Sequence, residues 1–126
     1  MDFSDDNTLI YGHHMDSGKM FASLVKYKEQ SYYDTHQVVY FSTPEHDFMI
    51  EIFSGYVTSV DSPAYIISWS SREEKIEWLK DMFHNSDFYS ELTVYPDDHI
   101  VTLSTCDYTF QNARYVVHGR LVEITD

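Results

Sequence analysis

The chain is short of cysteine, glycine, proline and positive charge, and each shortage narrows what it can be. A single cysteine, Cys106, cannot close an internal disulfide, and by itself it leaves the redox compartment open. Four glycines and three prolines in 126 residues leave no Gly-rich phosphate loop, no Pro/Gly linker and no low-complexity tract. One compact domain spanning residues 1–126 is therefore expected. Eight Lys and Arg against 21 Asp and Glu give a formal net charge of −13. Such a surface repels nucleic-acid phosphates and offers no basic patch to anionic lipid. No run approaches the roughly 18 apolar residues of a membrane span. The acidic start, Met1 to Asp6, lacks the basic-then-apolar order of a signal peptide, so no targeting segment or anchor is expected in this chain.

What is present is core material. Hydrophobic residues make up 43% and aromatics 17% of the chain, too much Tyr, Phe and Val for a disordered polymer. Thr8 to Tyr11, Val38 to Phe41, Asp47 to Tyr56, Ile100 to Thr105 and Ala113 to Ile124 read as strands, with alternation clearest at Phe48, Ile50 and Ile52. Val57 to Val60 extends the third of these or begins another, and Tyr65 to Trp69 is short, apolar and ambiguous. Lys19 to Tyr27 suggests a short helix, with Met20, Leu24 and Tyr27 at helical spacing. The clearest helix runs from Ser71 to about Asn85. Ser71 and Glu74 form a capping-box pair, and Ile76, Leu79, Met82 and Phe83 supply an apolar stripe. Short strands with one good helix predict a mainly β fold, a barrel or sandwich carrying that helix as an excursion.

Few residues here carry chemistry. Cys106 stands where a β-rich run meets a polar turn, so it is either a nucleophile at a sheet edge or an inert core thiol. Arg114 follows eight positions on. If the flanking strands pair antiparallel, the two come together, and a guanidinium there would stabilise a thiolate or an oxyanion. The alternative is a surface arginine paired with one of many carboxylates. Among seven histidines, His13 follows Gly12 at a strand end and is a candidate acid or base. His14 beside it would point to the other side of an extended segment. His13, His14, His36 and Cys106 are metal-ligand types but do not stand at zinc-motif spacing. No metal or cofactor is expected.

Three segments together carry a family resemblance. Asn7-Thr8-Leu9-Ile10-Tyr11-Gly12-His13-His14-Met15, followed by Gly18-Lys19-Met20-Phe21, resembles the histidine region of class B sortases. Thr102-Leu103-Ser104-Thr105-Cys106 resembles the sortase Thr-Leu-x-Thr-Cys signature, and Asn112 to Val122 resembles the segment bearing the family arginine. The segments occur in the family's order, and the 71–85 helix resembles the long helix that sets class B apart.

The resemblance implies a sortase-type β-barrel and a cysteine transpeptidase of the Gram-positive cell surface. Cys106 would be the nucleophile and His13 the acid and base. Arg114 would be the oxyanion stabiliser, with Thr105 and Ser104 in the substrate wall. It implies cleavage of an Asn-Pro-x-Thr type sorting signal after Thr through a thioester. The acyl group would then pass to a peptidoglycan cross-bridge or pilin amine at the outer face of the membrane. Relative to that family, the N-terminal anchor, the N-terminal helices and one or two early barrel strands are expected to be absent. Exposed strand edges would then allow self-association, and the alternative function is a weakly active or inactive sortase-like binding domain.

Overall fold

The computed structural model describes residues 7–11, 23–42, 44–106 and 112–124. Five strands form one sheet: β1 (Asn7–Tyr11), β2 (Val38–Ser42), β3 (Asp47–Ser59), β4 (Ile100–Cys106) and β5 (Ala113–Ile124). Their order is β1-β4-β5-β3-β2. β1 lies parallel to β4, and the other neighbours are antiparallel. The expected barrel is not closed: among the described residues the sheet is open, with β1 and β2 at its edges.

Two helices accompany the sheet, α1 (Gln30–Thr35) and α2 (Arg72–Asn85), with 3-10 turns at Ser23–Lys28 and Pro63–Tyr65. The helical segment expected at Lys19 to Tyr27 is found as that first 3-10 turn, its earlier part lying outside the described residues. The α1 helix had no clear signal. It is fixed by tertiary bonds: Tyr33 Oη donates to the Ile52 carbonyl at 3.2 Å and meets Ser90 Oγ at 2.7 Å.

Both faces of the sheet are covered, which explains why β4 and β5 are buried at successive rather than alternate positions over much of their length. On one face Ile10, Ile50, Ile52, Val101, Leu103, Tyr115 and Val117 pack under Leu24, Tyr27, Tyr33 and Phe88. On the other, Phe53, Tyr56, Ile100 and Val116 pack against Trp78, Leu79 and Met82 of α2. A bulge between Ile52 and Ser54 breaks the alternation, so that adjacent residues, Phe53 and Ser54, both face α2: Phe53 enters that core and Ser54 Oγ donates to the Met82 carbonyl.

α2 begins as its sequence predicts. Ser71 Oγ accepts from the Glu74 N–H at 3.2 Å. The Glu74 carboxylate reaches back one residue further than a capping box requires, to the Ser70 N–H at 2.8 Å and the Ser70 hydroxyl. These bonds to Ser70 hold the Glu74 carboxyl below its usual range. The buried stripe is centred differently from expectation, on Lys75, Trp78, Leu79 and Met82, with Ile76 and Phe83 half-buried at its sides. Trp78 decides this, because its ring fills the space beneath the 63–69 segment and its Nε1 donates to the Pro63 carbonyl at 2.8 Å. Lys75 buries its stem and carries its amine out to the Asp98 carbonyl at 2.7 Å.

Candidate active site

The strands that meet at one end of the sheet bring two of the candidate residues, Cys106 and Arg114, together. β4 and β5 pair so that Cys106, the last residue of β4, stands directly opposite Arg114, the second residue of β5. Residues directly opposite in an antiparallel pair have Cα atoms about 4.5–5.5 Å apart and side chains on one face. Thr58 of β3 flanks Arg114 on its other side, so Cys106, Arg114 and Thr58 form a row across the sheet end. Asn112, with φ of 64°, turns the chain into β5. Asn is among the few residues that adopt this left-handed conformation at low cost.

Cys106 is exposed, which removes the inert core thiol as an alternative. Arg114 is half-buried, and its Nη1 donates to the Ala113 carbonyl at 3.0 Å. Among the described residues it makes no ion pair with a carboxylate.

The residues leading to Cys106 have separate tasks, set by strand alternation. Leu103 enters one core. Thr105 pairs with Tyr115 and is half-buried, and alternation turns it to the face opposite that of Cys106. Ser104 shares the Cys106 face but is buried, its Oγ 2.8 Å from Tyr65 Oη. Tyr65 thus ties the strand end to the Pro63–Tyr65 turn two residues before the thiol.

Thr102 anchors the strand in a buried polar chain that the sequence reading missed. Its hydroxyl donates to Asn7 Oδ1 at 2.8 Å and lies 2.8 Å from His118 Nδ1. Because that hydroxyl proton is already given to Asn7, His118 Nδ1 must donate to Thr102. Its Nε2 is then left to accept from Tyr56 Oη at 2.9 Å. The imidazole is fully buried and neutral, and burial pushes its pKa down to about 3. A clue was present: His118 follows Val116 and Val117 at an inward position of an apolar strand, where a polar residue requires a partner.

His13 and His14 lie outside the described residues. β1 runs parallel to β4 and its last residue, Tyr11, pairs with Ser104, so the chain leaves β1 at the Cys106 end of the sheet. A cavity of about 290 Å³ between α1, Val38 and residues 89–92 includes neither Cys106 nor Arg114 in its walls.

A family model described as a sortase domain matches residues 2–122. The chain belongs to the sortase family. Among curated relatives, sortase B of Listeria monocytogenes is 32% identical over 123 residues, covering 96% of this chain and 50% of that protein. Among solved structures, the Staphylococcus aureus sortase B–substrate complex superposes with a TM-score of 0.84 at 28% identity, over 96% of this chain and 57% of that one. A Bacillus anthracis protein similar to sortase B gives 0.79 at 35% identity, over 97% of this chain and 55% of that one. This sortase chain therefore spans about half the length of the curated relatives it matches.

Proposed function

We propose that this chain is the catalytic core of a cysteine transpeptidase that cleaves a polypeptide sorting signal and passes the acyl fragment to an amine. The observation that carries the proposal is the exposed Cys106 paired across the sheet end with Arg114, whose guanidinium has no carboxylate partner among the described residues. Structures of sortase B in complex with a substrate and in complex with triglycine support a peptide donor and an amine acceptor.

In the proposed reaction the Cys106 Sγ attacks the carbonyl carbon of the signal's threonine. Negative charge gathers on the carbonyl oxygen, where Arg114 stabilises it. The C–N bond then breaks, and His13 gives its proton to the departing amine, leaving a thioester on Cys106. An incoming amine attacks the thioester carbon and surrenders a proton to His13, and the C–S bond breaks to release the thiolate. Residues, charge and protons balance without a cofactor. The signal is proposed to be of the Asn-Pro-x-Thr type, and the acceptor a peptidoglycan cross-bridge or pilin amine at the outer face of the membrane.

The open sheet favours a second reading, in which the same fold binds a signal without turning it over, or pairs through β1 or β2 with another copy. Intact mass after incubation with Asn-Pro-x-Thr peptides separates them. An adduct of the peptide cleaved after Thr, absent in Cys106→Ala, supports the transpeptidase. A folded protein that binds the peptide and forms no adduct supports the binding domain, and a concentration-independent monomer in sedimentation rejects strand-edge pairing.

A further inference from the structure

Both tryptophans of the chain line one groove. It has a volume of about 430 Å³ and lies between the 63–69 segment and the exposed side of α2. Pro63, Trp69 and Trp78 make its floor, the two indoles 4.9 Å apart between centroids and inclined at 58°. Glu73, Glu77 and Asp81 make its rim, at i, i+4 and i+8 along one side of the helix. Among the described residues that line it, none is basic.

Nearby cations are engaged elsewhere. Arg72 Nη1 pairs with Asp97 at 2.7 Å, and the Lys75 amine is bonded to the Asp98 carbonyl. Lys80 touches Glu77 at 3.4 Å, but both side chains are largely exposed, and such a pair exchanges readily. Trp69 Nε1 has no hydrogen-bond partner among the described residues. Its ring is half-buried, packed against the core beneath α2 and against Trp78, with the Lys75 ammonium 5.2 Å from its centroid.

Acidic residues alone would be a solvated helix face, and Trp78 alone would be core. Combined in one open groove, they suit a ligand that brings apolar and cationic groups in alternation. The rim carboxylates advance by four residues of helix, about 6 Å per step. Alternate residues of an extended peptide advance by about 6.8 Å, so three successive basic side chains on one edge match the three rim positions. The residues between them face the Trp–Pro floor, where cations that overreach the rim still meet indole faces.

We propose that this groove docks an extended partner segment in which lysine or arginine alternates with apolar residues. A second copy of this chain does not supply that segment, since nowhere in its sequence do three lysines or arginines alternate with apolar residues. The inference is independent of the transpeptidase reading, because it concerns binding and requires no turnover.

The two tryptophans are the only ones in the chain and both line this groove, so their fluorescence reports on its occupation. The probe is the peptide Lys-Leu-Lys-Leu-Lys, with Glu-Leu-Glu-Leu-Glu as control, titrated into wild type and Cys106→Ala. A saturable emission shift with the basic peptide only, equal in both proteins, is expected. The paired changes Glu73→Lys and Asp81→Lys alter exposed residues and should weaken binding about tenfold or more. Glu29→Lys with Glu45→Lys makes the same change in net charge on exposed positions elsewhere and should leave affinity within about twofold. Circular dichroism confirms folding, and the milder Glu77→Gln with Asp81→Asn replaces any variant that fails it. Equal weakening by both lysine pairs, or binding without a tryptophan response, overturns the proposal.

Discussion

Acidification should destabilise this protein through one buried imidazole before its carboxylates matter. His118 has no solvent exposure, and burial holds its pKa at about 3, against 6.5 for the ordinary side chain. Between those values the unfolded chain takes up a proton that the folded chain refuses, so unfolding binds a proton and stability falls as pH falls. The contribution is nearly complete above pH 6.5, is lost progressively below it, and levels off only below pH 3. Integrating the window, His118 alone removes about 2 kcal/mol between pH 7 and pH 5, and about 4 kcal/mol by pH 3. Against a typical domain stability of about 5–15 kcal/mol that is a large share. Urea unfolding followed by circular dichroism at half-unit pH steps measures it, with His118→Gln as reference. The variant pays a constant cost for disturbing Thr102 and Tyr56 but lacks the titrating group, so subtraction isolates the pH-dependent part. The gap between the two proteins should therefore narrow by about 2 kcal/mol from pH 7 to pH 5. Parallel profiles over that range, or an imidazole resonance of His118 that titrates near the ordinary value, would refute the buried neutral assignment.

Other outcomes test the site and the frame around it. Arg114→Ala should slow thioester formation by about 10²–10³-fold, the cost of one oxyanion donor, while Arg114→Lys recovers part of the rate; mass-spectrometric time courses read both. Tyr65→Phe removes the bond to Ser104 and should cost about 1 kcal/mol in denaturant unfolding. Gly119→Ala places a methyl against the Ile50 side chain and the Glu51 carbonyl, an overpacking of about 1–3 kcal/mol that should lower the thermal midpoint. Ser71→Ala removes the α2 cap and should cost about 1 kcal/mol; an unchanged unfolding curve would show the cap to be idle.

Where interactions are local, the sequence was sufficient. Ser71, Glu74 and the apolar positions after them specify α2, because capping and helical periodicity act within a few residues. The chain from Cys106 to Arg114 is short enough that antiparallel pairing of its flanks brings those two residues opposite one another, and the register does so. The order of the three family segments was also legible, and it led to the family that residues 2–122 match.

Other features existed only once distant parts met. β1 pairs with β4 across more than ninety residues of chain, and no local pattern states that partner or its parallel direction. α1, weak in its own sequence, is held by Tyr33 against Ile52 and Ser90. The strong apolar stripe of α2 was misplaced by about one position because Trp78 answers to Pro63, fifteen residues upstream. His118 looked like one histidine among seven, and only the closing of Asn7, Thr102 and Tyr56 around it made it neutral and buried. The physical division is one of range. Backbone propensity, caps and short connections are encoded where they act, whereas burial, ionisation and the choice of strand partner depend on which segments the packed chain brings into contact.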